Sequence, residues 1–262
     1  GDPTAIVFAA RRRESVYSAT RPYEVRLTSG VQLVPVDAAT TDAATGEGRL
    51  RFHHEVDSFP AIVVSPDPTQ EFWFERSLGN HDAFREYEAS FTVDDVDGGS
   101  ATFDLSYYAA PGLSSSSPMT LTASINGEAA GTADVSSAGL GVARFTLPAG
   151  ALLAGPNRVL VRATSALPAG TALAYVDAYQ VTFGAPLEFG AEGRFEAAAS
   201  GALALELDVA DGEPVWIVDV TRGERIAATR AAIDASRARF TFEAAANHEY
   251  FVASEAGLRA PA

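Results

Sequence analysis

Short stretches of alternating apolar and polar residues, separated by turn-forming residues, run through most of this 262-residue sequence. The pattern is clear after the Gly-Pro-Asn turn at residues 155–157, where Val159, Val161 and Ala163 share one face and Arg158 and Arg162 lie on the other. A side-chain period of two is that of a half-buried β-strand. Helical patterns are almost absent, and only residues 149–154 and 228–236 suggest a helical turn or a short helix. The sequence therefore predicts a chain that is nearly all β.

The stretch at residues 175–183 differs because a regular strand here is apolar on both faces. Tyr175, Tyr179 and Val181 share one face of such a strand, and Val176 and Ala178 lie on the other. A strand that is apolar on both faces is covered on both faces. We therefore expect the flanking segments of the chain to pack against it.

Turn chemistry divides the chain into three parts. Asn126-Gly127 is the strongest short hairpin signal, and Ser-Pro-Asp-Pro at residues 65–68 stops a run of strands. Short, regularly spaced strands over residues 69–184 predict a jelly-roll β-sandwich. We expect the N-terminal segment, residues 1–68, and the C-terminal segment, residues 185–262, to pack together as a second small β domain.

One residue of the C-terminal segment carries a specific expectation. The strand at residues 215–220 has no charge before Asp219. We therefore expect Trp216 to be buried in the core of this segment.

Composition excludes several classes of function. The formal charge is −15, and arginine supplies every fixed positive charge because the sequence has no lysine. An acidic chain is repelled by phosphate backbones and by anionic membrane surfaces, so we expect no nucleic-acid binding. No apolar run approaches the ~18 residues of a membrane span, so we expect no membrane insertion. The chain has no cysteine, so it contains neither a disulfide framework nor a cysteine nucleophile.

An acidic turn offers the one weak candidate for a metal site. Asp94, Asp95 and Asp97 supply the hard oxygen ligands that calcium prefers. Their spacing is not that of a twelve-residue calcium loop, so a solvated acidic turn is the favoured alternative. No other metal site and no cofactor are predicted.

The histidines and serines give no catalytic pattern. His53 and His54 are strand neighbours that point to opposite faces, so they cannot share a metal without a bend. For His81 and His248 a loop or surface role is favoured. No Gly-x-Ser-x-Gly motif occurs, and the serines at residues 114–117 lie in a loop. We name no catalytic residue.

Aromatic residues and carboxylates leave a second hypothesis open. Phe-Trp-Phe at residues 72–74 and Tyr107-Tyr108 could form a platform for sugar, although strand aromatics more often pack in the core. Glu88, Asp104 and Asp177 are candidate carboxylates, but the sequence does not pair them at the separation that glycoside hydrolysis requires.

Six stretches form an ordered set of motifs: residues 14–25 (ESVYSATRPYEV), 71–74 (EFWF), 126–127 (NG), 155–157 (GPN), 175–181 (YVDAYQV) and 215–221 (VWIVDVT). In this order they resemble the non-catalytic β-rich region that precedes the caspase-like domain in gingipain-type cysteine peptidases, a group that includes the secretion sortases of the Bacteroidetes type. The corresponding family motifs read DSVYT-x-T-x-x-Y-x-L, HWFW, NG, G-x-N-x-L, YVDWFEV and V-x-V-x-DVT. The resemblance spans residues 6–253.

The resemblance implies a function that the residues alone do not. The catalytic His-Cys pair of that family lies in a downstream domain, so the resemblance implies no enzymatic activity here. It implies a non-catalytic accessory or pro-domain of a secreted, extracellular or cell-surface peptidase, with the downstream peptidase-like domain of the same polypeptide as its partner. The alternative is a β-sandwich that resembles a carbohydrate-binding module and binds a glycan.

Overall fold

The computed structural model describes residues 47–60 and 73–257. The strands predicted at residues 5–9, 23–27, 31–35 and 61–64, and the motif at residues 14–25, lie outside the described residues. Among the described residues the regular secondary structure is almost entirely strand, with two short 3-10 helices at Asp82–Phe84 and Glu255–Gly257. The predicted all-β fold class is confirmed.

The chain forms two compact units, Arg51–Gly184 and a second unit from residues 47–50 and 185–257. The change of unit falls inside the first strand, whereas the sequence analysis places it after residue 68. The ring of Phe52 explains this difference, because it stacks on Phe91 and Tyr179 of the jelly-roll unit at centroid distances of 5.4 and 6.0 Å. Residues 61–72 are outside the described part, so the domain limits 1–68, 69–184 and 185–262 stay predictions.

The strands of the first unit follow in chain order. After β1 (Gly48–Glu55), which begins in the second unit, they are β2 (Phe59–Pro60), β3 (Trp73–Phe74), β4 (Arg76–Gly79), β5 (Glu86–Val93), β6 (Ala101–Ala109), β7 (Met119–Ile125), β8 (Glu128–Val135), β9 (Gly139–Leu147), β10 (Gly155–Ser165) and β11 (Leu173–Gly184).

The strands β4 to β11 have jelly-roll connectivity. One sheet has the order β5-β10-β7-β8, and the facing sheet has the order β4-β11-β6-β9, all antiparallel. Adjacent strands of the chain therefore alternate between the two sheets at all but one connection, which is the double Greek key of a jelly roll. The predicted jelly-roll sandwich is confirmed.

The core of this sandwich is centred on Tyr179 of β11. Its ring lies 5.5 Å from Phe103 in the same sheet and 6.1 and 6.4 Å from Phe91 and Tyr87 of the opposite sheet. Ring pairs at these distances add to the stabilisation from burial.

A β-bulge in β11 changes which residues of this stretch face the core of the sandwich. The pairing with β6 shifts between Val176 and Ala178, so Asp177 and Ala178 both oppose Ser106. The buried positions are even-numbered up to Val176 and odd-numbered from Tyr179 onward, and Ala178 is buried in the bulge itself. The extra residue shifts the buried face of the strand by one position. The face that carries Tyr175 is also covered, because Phe74 stacks on Tyr175 at 5.4 Å and Tyr108 is buried beside them. Packing by the flanking segments stays a prediction.

The second unit has eight further strands. They are β12 (Glu188–Phe189), β13 (Glu192–Ala197), β14 (Gly201–Asp208), β15 (Val215–Asp219), β16 (Glu224–Arg225), β17 (Thr229–Ala232), β18 (Arg237–Ala244) and β19 (Glu249–Ser254).

Two sheets enclose the core of the second unit. One has the order β12-β14-β18-β17, and in the other β16, β15, β19 and β13 are followed by the first residues of β1, where Gly48 pairs with Ala197. Phe195, Phe242 and Tyr250 pack between them, with ring centroids 5.3–6.3 Å apart. This separate core agrees with the expected second β domain.

The helix suggested at residues 228–236 is wrong. Thr229–Ala232 is a strand that pairs with β18, because tertiary pairing overrides the weak helix preference of two alanines. Arg230 also anchors this strand, since its guanidinium donates to the carbonyl oxygens of Glu213 and Ala210 at 2.8 and 2.7 Å. In the described part of the chain, no helix is long or apolar enough to cross a membrane.

Candidate functional site

The carboxylates of the acidic turn bond the backbone of that turn. Asp97 Oδ1 accepts from the N–H of Gly99 at 2.7 Å, and Asp95 Oδ1 accepts from the N–H of Val96 at 2.8 Å. Asp97 also lies directly against Gly184, where an added Cβ would meet its Oδ2 at 1.9 Å. These contacts are those of the favoured acidic turn. A calcium ion bound by Asp94, Asp95 and Asp97 stays an untested hypothesis.

The candidate aromatic platform is largely in the interior. Phe74 is 1% exposed and stacks on Tyr175 at 5.4 Å, and Tyr108 is buried beside it. Tyr107 is buried against Gly141, where an added Cβ would meet its ring at 2.6 Å. These rings present no open coplanar pair, and Trp73 is half-buried in β3. Phe72 lies outside the described residues.

Each of the four histidines takes a local role. His53 and His54 lie on opposite faces of β1, as predicted: His53 Nε2 is 3.2 Å from Glu55 Oε2, and the ring of His54 packs on Tyr179 at 4.8 Å. His81 Nδ1 accepts the N–H of Ala83 and so begins the first 3-10 turn. Among the described residues, no group of three or more histidines and carboxylates is placed to hold a metal ion.

The fourth histidine forms a buried pair. His248 Nδ1 is 2.7 Å from Asp219 Oδ2, and the Asp219 side chain also accepts from the N–H of Arg222 at 3.0 Å. Asp219 is fully enclosed in the second unit. The pair joins the turn after β15 to the start of β19.

Two of the three candidate carboxylates pair with arginine across the sheet. Arg144 donates to both oxygens of Asp104 at 2.7 Å, and these hydrogen bonds raise the pKa of the guanidinium. Glu88 accepts from Arg158 of the neighbouring strand. Asp177 lies in the bulge of β11. The carboxylates of Glu88 and Asp104 therefore neutralise arginines on sheet surfaces.

The serine loop is held by its own backbone. Ser114 and Ser117 exchange two backbone hydrogen bonds of 3.0 and 3.3 Å, and the hydroxyls of Ser114 and Ser116 are 3.1 Å apart. The described contacts of this loop place no histidine next to a serine hydroxyl.

Buried Asn157 joins two loops of the jelly roll. The side chain of Asn157 accepts from Asn126 and from the N–H of Leu153, and it donates to the carbonyls of Leu153 and Gly155. The NG turn and the G-x-N turn of the sequence analysis are therefore joined through Asn126 and Asn157, 2.8 Å apart. Asn126 has φ +51°, as a type I′ hairpin turn requires.

Asn80 makes an equivalent set of contacts that the sequence analysis did not identify. Its amide donates to the carbonyls of Leu167 and Pro168, and its oxygen accepts from the N–H groups of Gly170 and Ala172, all at 2.9–3.1 Å. The preceding Gly79 is a weak turn signal, and nothing local indicates that the partners lie some ninety residues away.

A cluster of titratable side chains surrounds Glu75. Tyr87 is fully buried and donates to Glu75 Oε2 at 2.7 Å, and His54 Nε2 is 3.9 Å from the same oxygen. Burial, followed by the hydrogen bond to Glu75, raises the pKa of Tyr87 well above its usual range. Burial, with the charge of Glu75, raises the pKa of Tyr179 to about 12. Both phenols are therefore held neutral.

The outer face of a sheet in the second unit has a different chemistry. We call it the aromatic–arginine face, and it consists of Trp216, Val218, Phe251, Arg194 and Arg225. Arg225 lies over the ring of Trp216 at 6.0 Å, and Arg194 lies over the ring of Phe251 at 5.4 Å. In the pairing register Val218 is opposite Phe251, and Phe251 is opposite Arg194, so the five side chains form a continuous surface.

This face corrects the expectation for Trp216. The core side chain of β15 is Ile217, which is 2% exposed, whereas Trp216 is half-buried on the opposite side of the strand. The strand was predicted correctly, but the wrong face of it was assigned to the core. A run without charges has no polar residue to mark its outer face, and tryptophan suits an interface as well as a core.

The last described residues pack against the residue that precedes β13. β19 ends at Ser254, whose N–H donates to the carbonyl of Ala191 at 2.9 Å. Gly257 is packed so tightly that an added Cβ would meet the Ala191 carbonyl oxygen at 2.2 Å. Glu213 accepts from the N–H groups of Ala210 and Ala256, at 3.0 and 3.2 Å, and these backbone hydrogen bonds lower the pKa of Glu213.

These observations define a class of protein: an all-β chain with a jelly-roll sandwich, a second β-sandwich and a half-exposed aromatic–arginine face. Its fold is similar to that of dimeric latent PorU from Porphyromonas gingivalis, with a TM-score of 0.59 and 12% sequence identity. The alignment covers 86% of this chain and 22% of the PorU chain. At this identity the likeness establishes a shared fold.

A second solved structure is less similar. The CBM36-1 domain of a multidomain xylanase from the hindgut metagenome of Trinervitermes trinervoides aligns with a TM-score of 0.31 and 14% identity, over 51% of this chain and 95% of that domain. A superposition this weak carries no argument. No protein-family model and no curated protein matches the chain.

Proposed function

We propose that this chain is a non-catalytic accessory or pro-domain of a secreted gingipain-like cysteine peptidase, and that it packs on the catalytic domain that follows in the same polypeptide. One observation carries the proposal: the fold likeness to PorU covers 86% of this chain, so it includes residues of both units, and the aligned region is only 22% of PorU. The ordered motifs of the sequence support the same assignment.

The contacts of the candidate residues support a structural role. Glu88, Asp104 and Asp219 each pair with a cationic side chain or a histidine, and the carboxylates of the acidic turn bond backbone N–H groups. Catalysis needs a nucleophile or base within reach of a reacting atom. These side chains are already engaged with their neighbours, so we propose that the chain supports or shields the chemistry of another domain at the cell surface or outside the cell.

The test is to mix the 262-residue chain with its separately produced downstream domain and to screen the chain on a glycan array in parallel. We expect binding to the domain at micromolar strength or better and a blank array. A reproducible glycan signal without domain binding would reject the proposal and support the carbohydrate-binding alternative.

Enzymatic assays give a second test. We expect no peptidase, esterase or glycosidase activity from the purified chain. Turnover that is lost in Asp177→Asn would show that the non-catalytic assignment is wrong.

A further inference from the structure

We propose that the outer edge of β9, the edge that does not face β6, is a self-association surface. Its partner is β9 of a second copy of this chain, paired in antiparallel orientation about a two-fold axis at Val142. The inference goes beyond the proposed function and does not rest on it, because it concerns a contact between two copies and assumes no further domain.

The edge of β9 is long and regular. β9 is the end strand of the sheet β4-β11-β6-β9, and it pairs with β6 over nine consecutive residues without a register shift. In the described part of the chain, no backbone hydrogen bond joins the outer edge of β9 to a further strand. An edge of this kind presents a row of N–H and C=O groups to which a strand of another chain can be added.

The end strand of the facing sheet, β8, is protected, and β9 is not. β8 contains one extra residue, Ala130, which makes a β-bulge, and its Glu128 and Asp134 are exposed. Bulges and charges are common means by which edge strands avoid pairing with other chains. β9 has no bulge, and its one charged residue, Arg144, donates to both oxygens of Asp104 on β6 and so points away from the outer edge.

The side chains of β9 add an apolar driving force to the open backbone. Leu140 and Val142 lie on the outer face of the sheet and are 71% and 57% exposed, the two highest values among the large apolar side chains of the described residues. Removing such side chains from water is favourable. A regular edge strand with exposed apolar residues therefore favours association.

Charge identifies the occupant. The chain has a formal charge of −15, yet residues 135–148 contain no aspartate or glutamate. The single charge of this segment, Arg144, is neutralised by Asp104 at 2.7 Å. A large net charge makes copies of the chain repel one another, so a contact between them is favoured where acidic residues are absent. A neutral edge gives no attraction to a charged peptide, whereas a second β9 matches it in both charge and apolar pattern.

A two-fold axis at Val142 fits the sequence of the strand. In this register residues 139–145 of the two chains pair, Val142 lies opposite its own copy, and Leu140 lies opposite Arg144. Residues directly opposite each other in an antiparallel pair share a face, so both copies of Leu140 and Val142 form one apolar cluster. The methylene stem of Arg144 can cover the Leu140 beside it. The two-fold axis closes the contact, so this edge gives a dimer and no larger assembly.

The first experiment measures self-association of the 262-residue chain by analytical ultracentrifugation. Seven residues from each strand make a small interface, so we expect a weak dimer with a dissociation constant on the order of 100 µM. Val142→Lys places two like charges opposite each other at the axis and should weaken the dimer about tenfold or more. Thr132→Lys, the same change in charge at an exposed position of β8, should leave the constant within about twofold. Circular dichroism melts confirm that both variants fold, and Leu140→Lys replaces Val142→Lys if that variant does not.

Ionic strength tests the kind of contact. The two copies carry the same net charge, and the register places no acidic residue against Arg144 of the other chain, so salt screens only repulsion. We therefore expect the dimer to become tighter between about 0.02 and 0.5 M sodium chloride. A dimer that weakens with salt would be held by ion pairs between copies, and the proposal would be wrong.

The second experiment tests the register. The chain has no cysteine, so Val142→Cys introduces a single thiol, which lies opposite its own copy at the axis. Opposite Cβ atoms of an antiparallel pair are close enough for a disulfide after a small adjustment. Under mild oxidation we expect a disulfide-linked dimer from Val142→Cys and far less from the control, Thr132→Cys. Equal yields from the two variants would reject the register.

The remaining outcomes also decide the proposal. A chain that stays monomeric up to about 1 mM would reject it, including the case in which the edge binds a different polypeptide. A dimer that neither Val142→Lys nor Leu140→Lys weakens would place the contact elsewhere and reject it too. None of these results changes the proposed function, which is tested with the downstream domain.

Discussion

At the scale of single residues, the polar side chains of this protein are used to fix loops. Asn80 and Asn157 are almost fully buried, and each makes four hydrogen bonds. Those of Asn80 reach a loop some ninety residues away, whereas those of Asn157 fix its own turn and join it to Asn126. A buried amide with all its hydrogen-bonding capacity used is favourable, and the loss of one partner leaves a group unsatisfied.

Asn157→Asp tests this role with almost no change in shape. The aspartate cannot donate to the carbonyls of Leu153 and Gly155, and it places an oxygen against each of them. We expect the free energy of unfolding to fall by about 1–3 kcal/mol in urea denaturation. Asn247→Asp is the control, since Asn247 is exposed at φ +60°. Equal losses in the two variants would contradict the role of the network.

Gly79 is a second residue whose identity the packing dictates. An added Cβ would lie 2.4 Å from the carbonyl oxygen of Ala172, and this backbone atom is held in place by the hydrogen bond from the N–H of Asn80. We expect Gly79→Ala to lower the free energy of unfolding by about 1–3 kcal/mol. Gly190→Ala should change it by less than about 0.5 kcal/mol, because the nearest atom is 4.0 Å away. Similar midpoints for both variants would show that the neighbour of Gly79 relaxes.

At the scale of elements, the local sequence pattern predicts most of the strands, and the errors concern which face of a strand is buried. Alternation and turn residues located the hairpin at Asn126-Gly127 and the jelly roll itself, because a period of two and a type I′ turn are local properties. The sequence analysis missed the bulge at Asp177. The inserted residue shifts the alternation of the strand by one position, so the sequence reads as apolar on both faces. The five-residue face around Trp216 was missed too, because it combines strands that are far apart in sequence.

The two faces of β15 allow a direct comparison between a core side chain and one on the outer face. Ile217→Ala removes a core side chain and should lower the free energy of unfolding by about 2–5 kcal/mol. Trp216→Ala removes more atoms but opens no core cavity, so we expect the smaller loss. Denaturant midpoints of the two variants check the order, and a larger loss for Trp216→Ala would restore the buried assignment.

At the scale of the whole molecule, the buried phenols set an alkaline limit to stability. An exposed tyrosine ionises near pH ~10, whereas the pKa of Tyr179 is raised to about 12 and that of Tyr87 further, mainly by burial. The native state therefore resists deprotonation that the unfolded state accepts. This contribution to stability is complete below about pH 10 and is lost as the pH rises through the native pKa.

We expect the free energy of unfolding to fall between about pH 10 and pH 12, together with the appearance of phenolate absorbance. A double variant, Tyr87→Phe with Tyr179→Phe, should show a shallower fall. Parallel pH profiles for the variant and the unmodified chain would indicate that other groups control the alkaline limit.

The pairing of Gly48 with Ala197 has a consequence for synthesis on the ribosome. The entire jelly roll is translated between these two residues, so it can acquire its fold while the second unit still lacks most of its strands. Until β13 has been translated, the amide groups of Gly48 and Arg49 that pair with it are exposed to water or to a chaperone. The second unit, which carries the aromatic–arginine face, is therefore the last of the two to fold.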